Sequence, residues 1–490
     1  MIGLGALADV IRPERVIGIP AGEVTGLAYD SRQVGPGTLF FAMPGEHADG
    51  HDFVRAAVTA GAVAVVVERD VEAAVPQLVV ARSRDALADA ADAWFGQPSE
   101  RLRTIGVTGT DGKTTTGFLA AAVLDAAGRR PGLIGTVEMR IGDERVPNEL
   151  RATTPEALEL QELLFRMVAA GNQTAVIEAT SHGLAQSRVR NCRFRVGIVT
   201  NLTHEHLDFH GTVEAYRDAK AMLVAEAPIA ILNRDDAHFA HFRSRAAARV
   251  ISYGTTNEAD VRASGIDARP DGTAFDAQVG AWTGRVKLAL PGWFNVYNAL
   301  ACLALADAEG VDLDVAARAL REVRAIPGRM ERIDQGQPFA VIVDYAHTPD
   351  SLDKVLRILR PMTERRLAVV FGSAGERDVA KRPFMGRIAA ELADIVIVTD
   401  EDPRLEDRDA INKAIADGAR AAGALDGANL WVIADRRDAI RHAVGLLREG
   451  DVLLLAGKGH EGSIFYGTEK AWWDEREVAR QELRAAGWAA

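Results

Sequence analysis

The stretch GVTGTDGKTTT, residues 106–116, sets a lysine and a row of hydroxyls directly behind a glycine-rich turn. Backbone N–H groups of such a turn can hold phosphates. Lys113 can supply a cation, and Thr114 or Thr115 can offer a hydroxyl to Mg²⁺. The spacing is irregular, because the common nucleotide pattern puts a glycine five positions before Gly112, where this chain has Val107. Its glycines fall instead at Gly106 and Gly109. That departure points away from motor and signalling ATPases.

Other residues bear on the same chemistry. Glu178 ends the apolar run TAVIE, at the carboxyl edge where parallel sheets collect ligand groups. It reads as a solvated strand-end acid or, beside a phosphate loop, as a direct or outer partner of Mg²⁺. HEHLDFH gathers His204, His206 and His210, but no Cys and no HExxH helix supports a zinc site. Lys220 lies in helix-forming VEAYRDAKAML, where a lysine is ordinarily solvated, and Asn295 and Asn298 follow PGWF where Asn ordinarily caps a helix. In TDEDPRLED, Arg404 is a forked cation suited to a carboxylate. Asp402 beside it can supply that anion or instead favour an ammonium.

The elements that must position these groups are legible as short apolar runs separated by amphipathic helical patterns. AVAVVVE (62–68), RTIGVTG (103–109), TAVIEA (174–179), VGIVTNL (196–202) and IAILN (229–233) read as buried strands. So do FAVIVDYA (339–346), LAVVFG (367–372), DIVIVTD (394–400), NLWVIAD (429–435) and DVLLLAG (451–457). Their β-branched density and the intervening Ala- and Leu-rich segments imply α/β architecture with mostly parallel sheets. Residues 251–290 alternate more strictly and are expected as an antiparallel edge. Seams at WFGQPSERLRT and RAIPGRMERI divide the chain into three domains, 1–100, 101–327 and 328–490. The reading is a central P-loop-type domain of mostly parallel sheet, flanked by a small N-terminal α/β domain and a C-terminal Rossmann-like domain.

Composition narrows the function. A net charge of -12 argues against general nucleic-acid binding, and no apolar run reaches the length of a membrane span. Two cysteines, Cys192 and Cys302, are too few for a disulfide framework and fit buried thiols in a reducing compartment. A cytoplasmic protein acting as a monomer on small molecules is expected.

GTDGKTT (109–115) resembles the phosphate loop of the Mur ligase family. IEATSHGLAQSR (177–188), NLTHEHLDFHGTVEAYRDAK (201–220), PGWFNVYN (291–298), PGRMERI (327–333), VDYAHTPDSL (343–352), GERDVAKRPFM (375–385) and GKGHE (457–461) follow in that family's order. YDSRQVGPGTLFFAMPGEHADGH (29–51) resembles the UDP-sugar domain of the branch that adds the third residue of the peptidoglycan stem peptide. The resemblance covers essentially the whole chain.

The resemblance implies an ATP-dependent, ADP-forming amide ligase. It would join a diamino acid to UDP-N-acetylmuramoyl-L-alanyl-D-glutamate through an acyl phosphate. ATP would contact Gly109, Thr110, Asp111, Gly112, Lys113, Thr114, Thr115, Asn298, Arg329, Asp344 and His347. Mg²⁺ would lie among Thr114, Thr115, Glu178 and His206, with Lys220 carrying a CO₂-derived carbamate. Lys113, Glu178, His206, Lys220 and Arg329 would carry catalysis. The UDP-muramoyl-dipeptide would meet Tyr29, Ser31, Glu46, His47, Ala48, Thr153, Thr154, Thr180, Gln186 and Arg188. The amino acid would meet Arg377, Glu401, Asp402, Pro403, Arg404, Gly457 and Glu461. The family's diaminopimelate motif is DNPR and this chain has EDPR, so meso-diaminopimelate is favoured while L-lysine and L-ornithine stay open. Folylpolyglutamate synthetase, the D-Ala-D-Ala-adding ligase and a non-catalytic nucleotide-binding regulator are the competing readings. The DSR segment argues against the first, TSHGLAQSR with GKGHE against the second, and the retained Lys113, Glu178, His206 and Lys220 against the third.

Overall fold

Alternation of side chains builds the first sheet. In the strand Thr38–Phe41, Leu39 and Phe41 enter the core under the helices Leu4–Ile11 and Ser83–Trp94. Phe40 enters a second core with Val54 and Ala57 of the helix Val54–Ala60. The sheet runs in the order Arg15–Ile17, Gln77–Val79, Ala62–Val67, Thr38–Phe41, Gly26–Ala28, and only its first strand is antiparallel to its neighbour. The computed structural model describes the chain except for residues 46–47, 149–151, 204–206, 270 and 489–490. It divides into two units. The first comprises Met1–Ala263, Gln278–Thr283 and Tyr297–Ala319, and the second comprises Ser264–Ala277, Gly284–Val296 and Leu320–Ala490.

The first unit also holds the larger central sheet. The strands Pro131–Ile134, Thr174–Glu178, Arg103–Thr108, Val196–Val199, Ile229–Asn233 and Arg249–Gly254 lie side by side and parallel. Arg103–Thr108 is first of these in the chain yet sits between two strands that come later. The order therefore reverses across it, and a crevice opens at the carboxyl ends of such strands. Glu178 pairs in register with Val107, and Val199 with Thr108, so the phosphate loop, Glu178 and Thr200 leave the sheet at one level. A Cβ on Gly106 would lie 2.5 Å from Leu223 of the helix Val213–Glu226 and 3.0 Å from the Phe194 ring. The irregular glycine serves packing beneath the loop.

The stretch 251–290 forms the strands Val261–Arg269, Gly272–Val279 and Trp282–Leu288, neighbours in sheet order. Two-residue links between them permit only antiparallel pairing, as the alternation implies. The ten expected strands are all present, nine of them shorter than expected by one to four residues.

In the second unit the order is Glu331–Ile333, Ala340–Asp344, Val452–Ala456, Leu367–Phe371, Ile395–Val398, Leu430–Val432, with only Glu331–Ile333 antiparallel. Helices Pro349–Leu359, Lys381–Leu392 and Arg408–Ala421 cover one face. Arg436–Leu446 and Glu475–Ala485 cover the other. Lys381–Leu392 and Arg408–Ala421 meet at glycines. A Cβ on Gly386 would lie 1.9 Å from the Ile415 carbonyl oxygen, and one on Gly418 would lie 2.1 Å from that of Pro383. Among the described residues no helix is long and apolar enough to cross a membrane.

Among the described residues of the second unit, one ion pair is wholly buried. Arg436 and Glu475 side chains are both 0% exposed and meet at 2.7 Å. Arg436 also donates to the carbonyls of Asp400 (3.1 Å) and Ala456 (2.7 Å), and Trp473 Nε1 donates to Glu475 at 2.6 Å. Removing one partner strands the other without water. We expect Glu475→Ala to cost about 3–5 kcal/mol of unfolding free energy, measured by denaturant titration of the full chain.

Candidate active site

In the first unit, Gly112 stands at φ +83° before the helix Lys113–Ala126, a conformation side chains resist. A Cβ there would lie 2.5 Å from Asn298 Oδ1, which itself accepts from the Thr116 hydroxyl at 3.1 Å. The loop is held from the next strand. Thr110 and Asp111 donate their N–H groups to the carbonyl and side-chain oxygens of Asn201, each at 2.9 Å, and the Thr200 hydroxyl donates to the Asp111 carbonyl at 2.6 Å. Lys113 Nζ donates to the carbonyls of Gly109 (2.8 Å) and Thr110 (2.7 Å). Lys220 Nζ donates to the same Gly109 oxygen at 2.7 Å. Lys220 is 1% exposed, and its ammonium sits 4.5 Å from the centre of the Tyr216 ring. The Tyr216 hydroxyl in turn bonds the Thr110 hydroxyl at 3.0 Å.

Glu178 is wholly buried and serves as the site's acceptor. Its carboxylate receives the Thr114 hydroxyl (2.9 Å), the Thr136 hydroxyl (2.9 Å) and the Thr136 N–H (3.0 Å). Thr136 reaches the Thr153 hydroxyl at 3.0 Å, and the Thr154 hydroxyl donates to the Glu178 carbonyl at 2.7 Å while touching Thr180 Oγ1 at 3.0 Å. Arg188 donates to the carbonyl of Thr154 (3.0 Å) and to Gln186 (2.7 Å), and pairs with Glu156 at 3.0 Å. Tyr29 donates to Glu159 at 2.6 Å, and burial, then that carboxylate, push its phenol well above the ordinary range. Ser31 opens the turn that Asp30 caps, and Ala48 is exposed.

In the second unit, Asp344 clamps the turn carrying Arg329. Its oxygens accept the N–H groups of Met330 (2.8 Å) and Ala346 (2.9 Å). The Tyr345 ring lies 5.2 Å from the Arg329 guanidinium, 4.6 Å from the His347 ring and 5.0 Å from that of His460. Its hydroxyl donates to Glu461 at 3.2 Å. Lys458 Nζ donates to Glu461 (2.6 Å) and Asp402 (3.1 Å), and Asp402 also receives the Phe465 N–H at 2.9 Å. Arg404, at φ +55°, bonds its backbone to Phe465 and Gly467. Its Nε is buried without a hydrogen-bond partner, and among the described residues it forms no salt bridge. Gly457, at φ +103°, makes room for Glu401, whose Oε2 would lie 3.0 Å from a Cβ there and has no hydrogen-bond partner. Burial raises the Glu401 carboxyl pKa against the opposing pull of His347, Lys381, Lys458 and Arg436. Pro403 is buried and Arg377 exposed.

Sequence profiles agree in order along the chain. Mur ligase family, catalytic domain, matches residues 23–95; Mur ligase middle domain, 107–306; and Mur ligase, glutamate ligase domain, 328–459. The UDP-N-acetylmuramyl-tripeptide synthetase of Roseiflexus sp. (strain RS-1) is 49% identical over 486 residues, covering 95% of this chain and 96% of that protein. The chain belongs to the Mur ligase family. The UDP-N-acetylmuramoyl-L-alanyl-D-glutamate--2,6-diaminopimelate ligase of Geobacillus thermodenitrificans (strain NG80-2) is 44% identical, covering 94% of this chain and 95% of its own. A solved UDP-N-acetylmuramoyl-L-alanyl-D-glutamate--2,6-diaminopimelate ligase superposes with a TM-score of 0.71 at 31% identity, covering 99% of both chains.

This Mur ligase brings Lys113, Thr114, Glu178, Lys220 and Asn298 around one loop, with Thr154 bonded to the Glu178 carbonyl, Thr180 bonded to Thr154, and Thr153 linked to the Glu178 carboxylate through Thr136. Glu46, His47 and His206 lie outside the described residues. Two of the expected site residues are already engaged by groups of the protein itself. Asp402 does not stand ready as a free acid, because Lys458 and a backbone N–H take its Oδ1. Asp344, expected on the nucleotide side, has both oxygens engaged by backbone groups. Thr136, Tyr216, Tyr345 and Lys458 went unrecognised. Tyr216 stands four residues before Lys220, a spacing that shares a helix face, and Tyr345 and Lys458 lie within motifs. Thr136 in LIGTVEM has no comparable signal.

Burial, then the cations Arg329, Arg476 and Lys458, hold His460 down to about 3 from an ordinary 6.5. Below pH 6.5 the unfolded chain gains a proton that the folded chain refuses, so this group lowers stability as pH falls toward 3. We expect His460→Asn to flatten unfolding free energy against pH across that window, measured by urea titration at stepped pH.

Proposed function

We propose that this Mur ligase joins the amine of a diamino acid to the D-Glu γ-carboxylate of UDP-N-acetylmuramoyl-L-alanyl-D-glutamate, converting ATP to ADP and phosphate. The observation that carries the reading is Glu178. The phosphate loop's Thr114 and the Thr136–Thr153 pair converge on one buried carboxylate. A phosphate site and an acceptor site thus share a wall. The substrate carboxylate oxygen forms a bond to the γ-phosphorus as the bond to the β-phosphate oxygen breaks, giving an acyl phosphate and ADP. The amine then bonds the acyl carbon, phosphate leaves, and the nitrogen sheds its proton. Lys113 holds negative charge on the transferring group. Thr153, Thr154, Thr180, Gln186 and Arg188 orient the peptide.

Thr114 and Glu178 offer hydroxyl and carboxylate oxygens 2.9 Å apart, a donor set that suits a hard cation completed by water and phosphate. Among the described residues no three His, Cys, Asp or Glu side chains cluster to replace it. Mg²⁺ would supply charge neutralisation at the phosphates there. Two ammonium groups, Lys113 and Lys220, share the Gly109 carbonyl. Carbamylation of Lys220 removes that repulsion, keeps one N–H for the carbonyl and adds an anion. Two of the three substrates carry charged nucleotides that membranes exclude, which supports a cytoplasmic site of action.

For the added residue, Arg404 has no anionic partner among the described residues and Asp402 already faces Lys458, which favours meso-diaminopimelate with its distal carboxylate. The unpartnered Glu401 Oε2 favours the second reading, L-lysine or L-ornithine. ADP release is expected only with UDP-muramoyl-dipeptide and a diamino acid both present, and fastest with meso-diaminopimelate in a panel of the three. Strong preference for lysine or ornithine would overturn the Arg404 assignment. Hydroxylamine should trap a hydroxamate of the nucleotide-linked peptide. Its absence during nucleotide turnover counts against the acyl phosphate. Lys220→Ala should lose activity by about 10²-fold or more, with partial rescue by a small carboxylic acid. ¹³C-bicarbonate should give a carbamate NMR signal in the parent protein and none in the variant.

A further inference from the structure

Lys458 is 0% exposed, and its Nζ lies between two acids from different loops. Asp402 belongs to the turn that ends in Arg404, and Glu461 to the loop after the strand Val452–Ala456. The ammonium spans them at 3.1 and 2.6 Å. Asp402 Oδ1 also receives the Phe465 N–H, and Phe465 returns its carbonyl to the Arg404 N–H at 2.9 Å. The Arg404 turn is therefore fastened twice, once by charge and once by backbone pairing. Glu461 accepts from Tyr345 on its other oxygen, so both ends of the bridge are fixed.

We propose that Lys458 is a positioning residue for amino-acid recognition. Its ammonium cancels the charge of Asp402 and ties the Arg404 turn to Glu461, so that Arg404 reads the distal end of the diamino acid and Asp402 does not. The inference rests on the ligase reading above and assigns a role within that same pocket. It explains how an acid stands where the family's motif has asparagine: the added charge has a dedicated buried partner. A buried cation between two carboxylates is costly to unbalance, since removing it leaves the buried Asp402 and the partly exposed Glu461 facing each other without a counter-charge.

The test uses full-length protein, with kcat and KM measured for meso-diaminopimelate, L-lysine, ATP and UDP-muramoyl-dipeptide. Lys458→Met keeps the stem and removes the charge. We expect the KM for the preferred diamino acid to rise about tenfold or more while the KM for ATP changes less than about twofold. Asp402→Asn keeps the Oδ1 acceptor and removes the charge the inference calls silent. The ratio of kcat/KM between meso-diaminopimelate and L-lysine should then shift less than about threefold. A larger shift shows that Asp402 reads the substrate and overturns the inference, as does a Lys458→Met enzyme with unchanged amino-acid KM. If Lys458→Met does not fold, the Asp402→Asn ratio alone decides. A parent enzyme that ligates none of these amino acids would instead overturn the ligase reading.

Discussion

A carboxylate with no water around it must find all its hydrogen-bond donors within the protein, and Glu178 finds three in two threonines. That requirement organises the first unit. Thr114 comes from the phosphate-loop helix and Thr136 follows the strand Pro131–Ile134, so both flanking segments must end at the level of the Glu178 strand. The reversal of strand order at Arg103–Thr108 supplies that level. The same carboxylate fixes Thr136 for its contact with Thr153, and the Glu178 carbonyl fixes Thr154. One buried residue, through its carboxylate and its carbonyl, thereby sets the relative position of phosphate-side and peptide-side hydroxyls.

The second unit solves a related problem with the opposite sign. Besides Arg382, its buried cations include Arg436 and Lys458, and each of these two is surrounded by carboxylates or carbonyls from several segments. Arg436 joins the strand ends near Asp400 and Ala456 to the last helix, while Lys458 works one layer closer to Arg404 and Glu461. Arginine suits the first place because its planar fork meets a carboxylate and two carbonyls at once. A compact ammonium suits the second, where two acids approach one point.

Much of this was legible in the residues. The apolar runs mark the ten buried strands because a strand covered on both faces must be apolar throughout. GTDGKTT and Glu178 could be placed at one sheet edge from topology, and Lys220, on a helix, joins them by family resemblance alone. The remainder depends on contacts that spacing does not encode. Gly106 reads as part of a phosphate pattern, but its lack of a side chain answers to Leu223 and Phe194, more than 80 residues away in sequence. Asp402 reads as a neighbour of Arg404, yet its partner lies in another loop, 56 positions on. Adjacent residues on an irregular turn need not face the same way, so sequence proximity was a poor guide there. Thr136 becomes visible only once strand register is known.

The glycine contact between the helices Lys381–Leu392 and Arg408–Ala421 bears on how such a pocket can change over evolutionary time. Asp407 caps the second helix immediately after the Arg404 turn, and that helix is pressed against its neighbour at Gly386 and Gly418. Backbone packed this tightly cannot slide to admit a longer or shorter ligand. Descendants that acquired a new amino-acid preference would have to do so by exchanging side chains on a fixed frame, which makes two or three positions around Arg404 a compact record of ancestral diet.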